Sequence, residues 1–327
     1  MDFSLSEEQQ SAQQLALKIL GDHTSVEQLA EVEKEPHRFD RELWQALAAA
    51  GLLGLAIDQR HGGMGFGFYS LCMLCEEVGR TVAPVPAVPV LVSAAATLQT
   101  HGSDAQQERW LPVIASGESL VTAALEEYDN DDPTLPATTA IEDDGKWRLS
   151  GTKICVSLAA DAERVLLSAR TDDGILAALV DPRAQGVQLN PQVVTSGETR
   201  YEMVLDDVEV MAADILASGQ AANKAMHWAK QATRTALCAT AVGLCDKMMR
   251  MTGQYTSERQ QFGRAIATFQ AVSHRVADCY IDVECLRLVT QQAASLIDQN
   301  RPAEEAVTIA KIWCGDVTHR VSQAAQH

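Results

Sequence analysis

The sequence is short of positive charge. Its 327 residues carry 26 lysines and arginines against 44 aspartates and glutamates, a formal net charge of −18 at pH 7. That deficit argues against a nucleic-acid backbone or an anionic membrane as partner, since both repel an acidic protein. A run of about 18 apolar residues is also missing, so no membrane span is expected. The opening residues, MDFSLSEEQQ, are acidic and lack an apolar core, so a secretory leader is not expected and a cytoplasmic location is. The eight cysteines are scattered singly apart from Cys72 and Cys75. No second pair completes a zinc site, and C-x-x-C inside LCMLCEEV reads as two buried, reduced thiols. The eight histidines show no metal-ligand spacing and no Ser-His-Asp set is recognisable, so neither a metal centre nor a triad hydrolase is expected. Internal repeats and low-complexity tracts are lacking as well.

What is present describes a globular chain with two or three cores, 46% hydrophobic and 21% charged. Residues 1–118 read as helices. Ser6 with Gln9 forms a capping-box pattern ahead of Ala12, Leu15, Ala16 and Ile19, and Asp40 caps a segment through Leu43 and Leu47 that Gly51 ends. HGGMGFG at 61–67 is a glycine loop, and no strand or GK[ST] accompanies it to make a phosphate cradle. Further helices are expected over 68–80, 89–100 and 104–115. From 119 to 218 the period changes to two: LVTAAL, WRLSG, RVLLSA, ILAALVD, GVQLN and YEMVLDDVEV are separated by turn residues, as in a small antiparallel sandwich or barrel. Helix returns over 219–327, with Asn300 and Pro302 opening the last element. Leu237, Ala241, Leu244, Cys245 and Met248 form one apolar stripe there; Phe269, Val272, Val276, Cys279, Val283 and Leu286 form a second.

Between these stripes lies SERQQFGRAIATFQAVSHRVAD, residues 257–278. Its core, R-x-Q-F-G-R-x-I-x-x-F-Q, closely resembles the C-terminal domain of the acyl-CoA dehydrogenases, flavoenzymes that oxidise acyl-CoA thioesters to enoyl-CoA. The resemblance implies that family's mostly α fold with a β insert: an N-terminal helical domain (1–118), a middle antiparallel β sandwich or barrel (119–218) and a C-terminal helical bundle (219–327). It also implies a loop that crosses a subunit interface to FAD held mostly by the neighbouring chain. By position, Arg259 meets the pyrophosphate and Gln270 lies near the adenosine end, with Gln261 and Phe262 lining the same surface. A guanidinium fork suits phosphate oxygens.

Three family signatures are altered. T-E-P-x-A-G-S-D has become L-E-E-Y-D-N-D-D at 125–132, which reads as a solvated acidic turn; Leu125 loses a hydroxyl and Glu127 replaces proline. N-G-x-K-x-W-I-T has become S-G-T-K-I-C-V-S, so Cys155 stands for the flavin-facing tryptophan and Ser157 for threonine. The base that removes the α-proton is a glutamate at one of two points in the family. One aligns with Thr233, and residues 229–245 contain no Asp or Glu. The other follows a G-G-x-G segment that would begin after His327. No catalytic or metal-binding residue is therefore assigned. The sequence resembles the non-catalytic subunit of heteromeric, steroid-side-chain-type acyl-CoA dehydrogenases. It implies an α2β2 assembly with a homologous glutamate-bearing chain that holds most of a bulky acyl-CoA, and a flavoprotein electron acceptor. A complete homotetrameric enzyme with its base beyond residue 327 and a flavin-free helical scaffold stay open as alternatives.

Overall fold

A computed structural model describes residues 3–327. The first third is helical: α1 (Glu7–His23), α2 (Val26–Val32), α3 (Arg41–Ala49), α4 (Gly67–Thr81), a π-helical segment Ala87–Ala96, α5 (Thr97–His101) and α6 (Asp104–Ala115). Eight strands follow: β1 (Val121–Ala124), β2 (Thr139–Asp143), β3 (Lys146–Ser157), β4 (Arg164–Thr171), β5 (Gly174–Val180), β6 (Val187–Gln192), β7 (Arg200–Val210) and β8 (Ile215–Ser218). The last third holds α7 (Gly219–Glu258), a hairpin of β9 (Gln260–Gln261) and β10 (Arg264–Ala265), α8 (Gln270–Asp298) and α9 (Glu304–Gln326). This is the expected fold class: helices, a central sheet, and a helical bundle.

Local chemistry explains the starts of several helices. Ser6, Ser25 and Ser103 each form a full capping box with the glutamine three residues on, and Asp40 accepts the Leu43 N–H. Gly51 ends the α3 segment at φ 74°, a backbone conformation that side chains with a Cβ resist. Within α1, Ala16 and Leu20 are buried whereas Leu15 is largely exposed, so the core face lies one step round from the expected stripe. The helix expected over 89–100 divides into the π segment and α5. Pro302 lies just ahead of α9, while Asn300, at φ 52°, closes α8.

Contacts divide the chain into two compact units. One comprises Ser25–Gly67 and Pro84–Thr233 and contains the sheet. Its strand order is β6-β7-β3-β2-β4-β5-β8, with β1 beside β4. Most pairings are antiparallel, as expected, but β1 runs parallel to β4, making the sheet mixed. Leu149, Val156, Val165, Leu167, Met203 and Val208 are fully buried in its core. The strands that sequence patterning missed, β2 and β8, are short; β2 carries Ile141, 69% exposed, and ends in acids, so no alternation marks it.

Lys153 of β3 is fully buried in this unit, and its Nζ lies 2.7 Å from Glu127 Oε1. The same carboxylate accepts the Ala137 and Thr138 N–H groups and the Thr138 hydroxyl. Burial alone would raise the Glu127 carboxyl; Lys153 and these donors outweigh it and bring it down to about 2. Burial pushes the Lys153 ammonium down, and Glu127 opposes that. The expected solvated acidic turn is thus wrong at Glu127, which is drawn inward by a lysine 26 residues away in sequence.

The other unit comprises residues up to Thr24, Phe68–Ala83 and Arg234–His327. Here α4 and α7 touch backbone to backbone. A Cβ on Gly79 would sit 2.0 Å from the Thr240 carbonyl oxygen, and one on Gly243 would sit 1.8 Å from that of Glu76. Charges fill the groove beside the crossing. Glu76, Glu77 and Asp246 are buried, and Arg80 bridges all three while Arg287 reaches Glu76 and Asp246. Asp298, at the end of α8, accepts the Phe68 and Tyr69 N–H groups and so caps α4. The buried face of α7 uses Cys238, Val242, Cys245 and Met249. Leu237 and Leu244, from the expected stripe, are 44% and 36% exposed. The α8 stripe is buried from Cys279 through Val283 to Leu286, while Val272 and Val276 are only partly covered.

Gly243→Ala should lower the urea midpoint and Tm, with a cost of about 1–3 kcal/mol or more, because the added methyl must push the two helix backbones apart. Gly315→Ala, on the exposed side of α9 with nothing within 4 Å of its Cβ position, should instead raise stability by about 0.5–1 kcal/mol. For the buried pair, Glu127 has a depressed carboxyl. Its contribution is complete above the ordinary glutamate value of 4.5 and is lost as the pH falls through about 2. Glu127→Gln should cost about 3–5 kcal/mol at neutral pH by stranding Lys153, and adding Lys153→Met should recover much of it. Urea unfolding of the single and double variants at neutral and acid pH tests both statements.

Candidate cofactor site

The β9–β10 hairpin carries the residues singled out for FAD. α7 stops at Glu258, and the Arg259 N–H still donates to the Tyr255 carbonyl at 2.8 Å. Gln261 then pairs antiparallel with Arg264. The two residues between them, Phe262 and Gly263, have φ of 54° and 76°. Positive φ at both centres is the type I′ arrangement whose twist matches a tight hairpin. Glycine takes it freely, but for Phe262 the left-handed conformation costs about 1–2 kcal/mol. The Ile266 N–H returns to the Arg259 carbonyl at 2.9 Å and closes the loop.

The outcome is an outward-facing turn. Phe262 is 92% exposed, edge-on to Phe269 with centroids 6.2 Å apart, while the Arg264 guanidinium stacks 4.1 Å over the Phe269 ring. Arg264 is therefore engaged within the loop. Arg259 is exposed, and among the described residues no carboxylate pairs with it. Gln261 and Gln270, the latter opening α8, are exposed too. All four nominated residues thus lie on one short, solvent-facing stretch. Forked donors and amides on such a turn can bind a dianionic phosphate and the edge of a base.

The sheet-bearing unit has the opposite character. Cys155 sits at φ 55°, its N–H donates to Gln192 Oε1 at 2.8 Å, and its carbonyl accepts from Arg200. Burial, then Glu126, raises the Cys155 thiol against the pull of Arg200, so it is not a ready nucleophile. Tyr128 donates its hydroxyl to Glu202 at 2.6 Å. Asp132 lies 2.8 Å from Lys230; burial would raise its carboxyl, but Lys230 and Thr134 hold it at about 2. Patterning did not reveal Gln192, Lys230 or the Glu127–Lys153 pair, since each partner lies far away in sequence. At the position aligned with a base, the Thr233 hydroxyl shares a 2.7 Å hydrogen bond with Ser93 of the π segment. A threonine hydroxyl is too weak a base to take an α-proton. Cys72 and Cys75 are both buried with thiols pushed up by burial, Cys75 to about 12. Groups able to hold a metal ion are absent among the described residues.

These features fit FAD at the hairpin. At the chain's own sheet the Cys155 N–H donates to Gln192 and Glu127 is paired with Lys153. Among the described residues no helix is long and apolar enough to cross a membrane.

Known proteins share this fold. Acyl-CoA dehydrogenase FadE27 of Mycobacterium tuberculosis is 31% identical over 335 residues, covering all of this chain and 88% of its own length. A variant of the Tcur3481-Tcur3483 steroid ACAD superposes with a TM-score of 0.91 at 38% identity, covering 99% of this chain and 87% of that one. The ChsE4-ChsE5 complex from Mycobacterium tuberculosis gives 0.92 at 31% identity with the same coverages, 99% and 87%. Residues 6–118 match the acyl-CoA dehydrogenase N-terminal domain, 122–208 the middle domain and 222–327 the C-terminal domain, so the chain belongs to the acyl-CoA dehydrogenase family.

Proposed function

We propose that this chain is the half-site subunit of a heteromeric, FAD-dependent acyl-CoA dehydrogenase: it completes a homologous partner's flavin site and leaves the catalytic base to that partner. One contrast carries the reading. Arg259, Gln261 and Gln270 are exposed to solvent, whereas Glu127, Cys155 and Asp132 are bonded within the chain.

Family membership supports an FAD-dependent oxidoreductase, in which bound flavin accepts the hydride as an acyl-CoA becomes an enoyl-CoA. In this chain Arg259 binds the pyrophosphate, Gln270 holds the adenosine end, and Gln261 with Phe262 lines the surface between them. The functional division is 1–118, 119–218 and 219–327, with the third segment presenting the flavin loop. Thr233 stands at one of the two points where the family places its base, which supports giving the α-proton to a glutamate of the partner. A net charge of −18 disfavours CoA phosphates here, which leaves the acyl-CoA mainly to the partner. The two similar steroid-type and paired-chain structures favour an α2β2 assembly and a bulky, steroid side-chain acyl-CoA. A cytoplasmic setting with a flavoprotein electron acceptor completes the proposal.

Two experiments test it. The chain purified alone should be nearly flavin-free and inactive on acyl-CoA, and should turn yellow when co-expressed with the homologous glutamate-bearing chain. Stoichiometric FAD with turnover in the lone chain would falsify the half-site role, and a colourless complex would favour a scaffold. In the complex, Arg259→Ala should weaken FAD binding roughly ten- to a hundredfold, the loss of one charged hydrogen-bonding group. Arg259→Lys should recover only some of it, because an ammonium lacks the fork. FAD retention on dilution is the readout, with assembly checked by gel filtration; retention equal to wild type would reject the role of Arg259.

A further inference from the structure

Seven of the eight cysteines belong to the helical unit, and six of those seven are buried as free thiols. The flavin proposal uses none of them. Burial pushes up the thiols of Cys72, Cys75, Cys245 and Cys279, those of Cys75 and Cys245 to about 12. Thiols held protonated in this way are inert, because the thiolate is the reactive form.

Among the described residues, Cys314 on α9 is the one thiol drawn the other way. The Cys238 thiol of α7 donates a hydrogen bond to the Cys314 sulfur. That donor stabilises negative charge on Cys314. Burial opposes it, Lys311 one turn earlier on α9 favours it, and the Cys314 thiol comes down to about 7. Cys238 shows the reverse, since its donated bond and its burial both push its thiol up. The pair is therefore asymmetric, with a nucleophile on α9 and a protonated thiol held against it on α7. Access follows the same order: Cys314 is 8% exposed, whereas Cys238 is fully buried.

We propose that Cys238 and Cys314 form an oxidisable pair, in which a hydroperoxide converts the two thiols into a disulfide that ties α7 to α9. With hydrogen peroxide, the Cys314 thiolate attacks one oxygen and the O–O bond breaks, leaving a sulfenic acid and hydroxide. The Cys238 sulfur then attacks the Cys314 sulfur and the S–O bond breaks. The departing hydroxyl takes the Cys238 proton and leaves as water. Together the sulfurs lose two electrons, and the peroxide is reduced by the same two. Excess thiol reverses the link by exchange. Between the two cysteines in sequence lie the later part of α7, the β9–β10 hairpin and all of α8. The disulfide closes that stretch into a covalent loop and restricts its unfolded state. This chemistry is independent of the flavin reading, since neither a flavin nor a partner chain enters it.

The test uses the full chain with Cys285→Ser throughout, which removes the exposed thiol. After brief hydrogen peroxide treatment and alkylation of the remaining thiols, non-reducing peptide mapping should show one link, Cys238 to Cys314. Dithiothreitol should remove it, and Tm should be higher before the reductant than after. Cys314 should react about tenfold or more faster than Cys72, Cys75 or Cys245, in keeping with its larger thiolate fraction. Adding Cys238→Ser should make sulfenic acid accumulate on Cys314, where dimedone traps it. Adding Cys314→Ser should give neither link nor adduct. Circular dichroism checks the fold of both variants, and mapping of the unaltered pair stands without them. A treated chain in which Cys314 stays reduced, or is over-oxidised with no link, would overturn the proposal. So would a link from Cys314 to Cys245, a link within Cys72 and Cys75 in its place, or equal reactivity among the buried thiols.

Discussion

The helical unit depends on two glycines. Gly79 of α4 and Gly243 of α7 each press against a carbonyl of the opposite helix, at separations that leave no room for a methyl group. Backbones this close leave little space for apolar side chains to fill beside them. The flanking positions instead hold Glu76, Glu77 and Asp246, paired with Arg80, Arg250 and Arg287. Removing one member of such a cluster leaves a buried charge unpaired, so the cluster also resists alternative registers between these helices. The inner face of α7 combines Gly243 and Asp246 with Cys238, Val242, Cys245 and Met249, while Leu237, Leu244 and Met251 remain partly exposed.

In the sheet-bearing unit the constraint is electrostatic closure. A proline-to-glutamate change at 127 would, in isolation, put an anion into a site the family uses for anionic ligands. Lys153 draws that anion inward, and Thr138 and Ala137 fix it there. Gln192 then takes the Cys155 N–H, and Arg200 its carbonyl. These polar groups around the altered motifs have found partners within the chain. Buried polar groups seldom go unpaired, and the Glu127 carboxylate and the Cys155 backbone follow that rule.

The hairpin works the other way. Its backbone is fixed by a turn that strains Phe262, and its stack of Arg264 on Phe269 holds the base of the loop. Arg259, Gln261 and Gln270 are left without a buried role. Strain held at an exposed aromatic residue is typical of positions retained for recognition rather than for stability. The exposed loop at 259–270 thus contrasts with the internally bonded groups at 127 and 155.

The sequence by itself determined what depends on short range. Capping boxes at Ser6 and Ser103, the Asp40 cap, the 104–115 helix and six of the strands are set by neighbours within a few residues, and the family string at 259–270 is contiguous. Tertiary structure decided what depends on partners distant in the chain. The 125–132 segment is acidic in sequence, and only the fold brings Lys153 to Glu127 and Lys230 to Asp132, turning a solvated loop into an anchored one. The apolar stripe on α7 was legible as a stripe. Which face it served was not, because period alone cannot tell a core-facing seam from one left open; that was settled by the glycine contact with α4, which claims the opposite side.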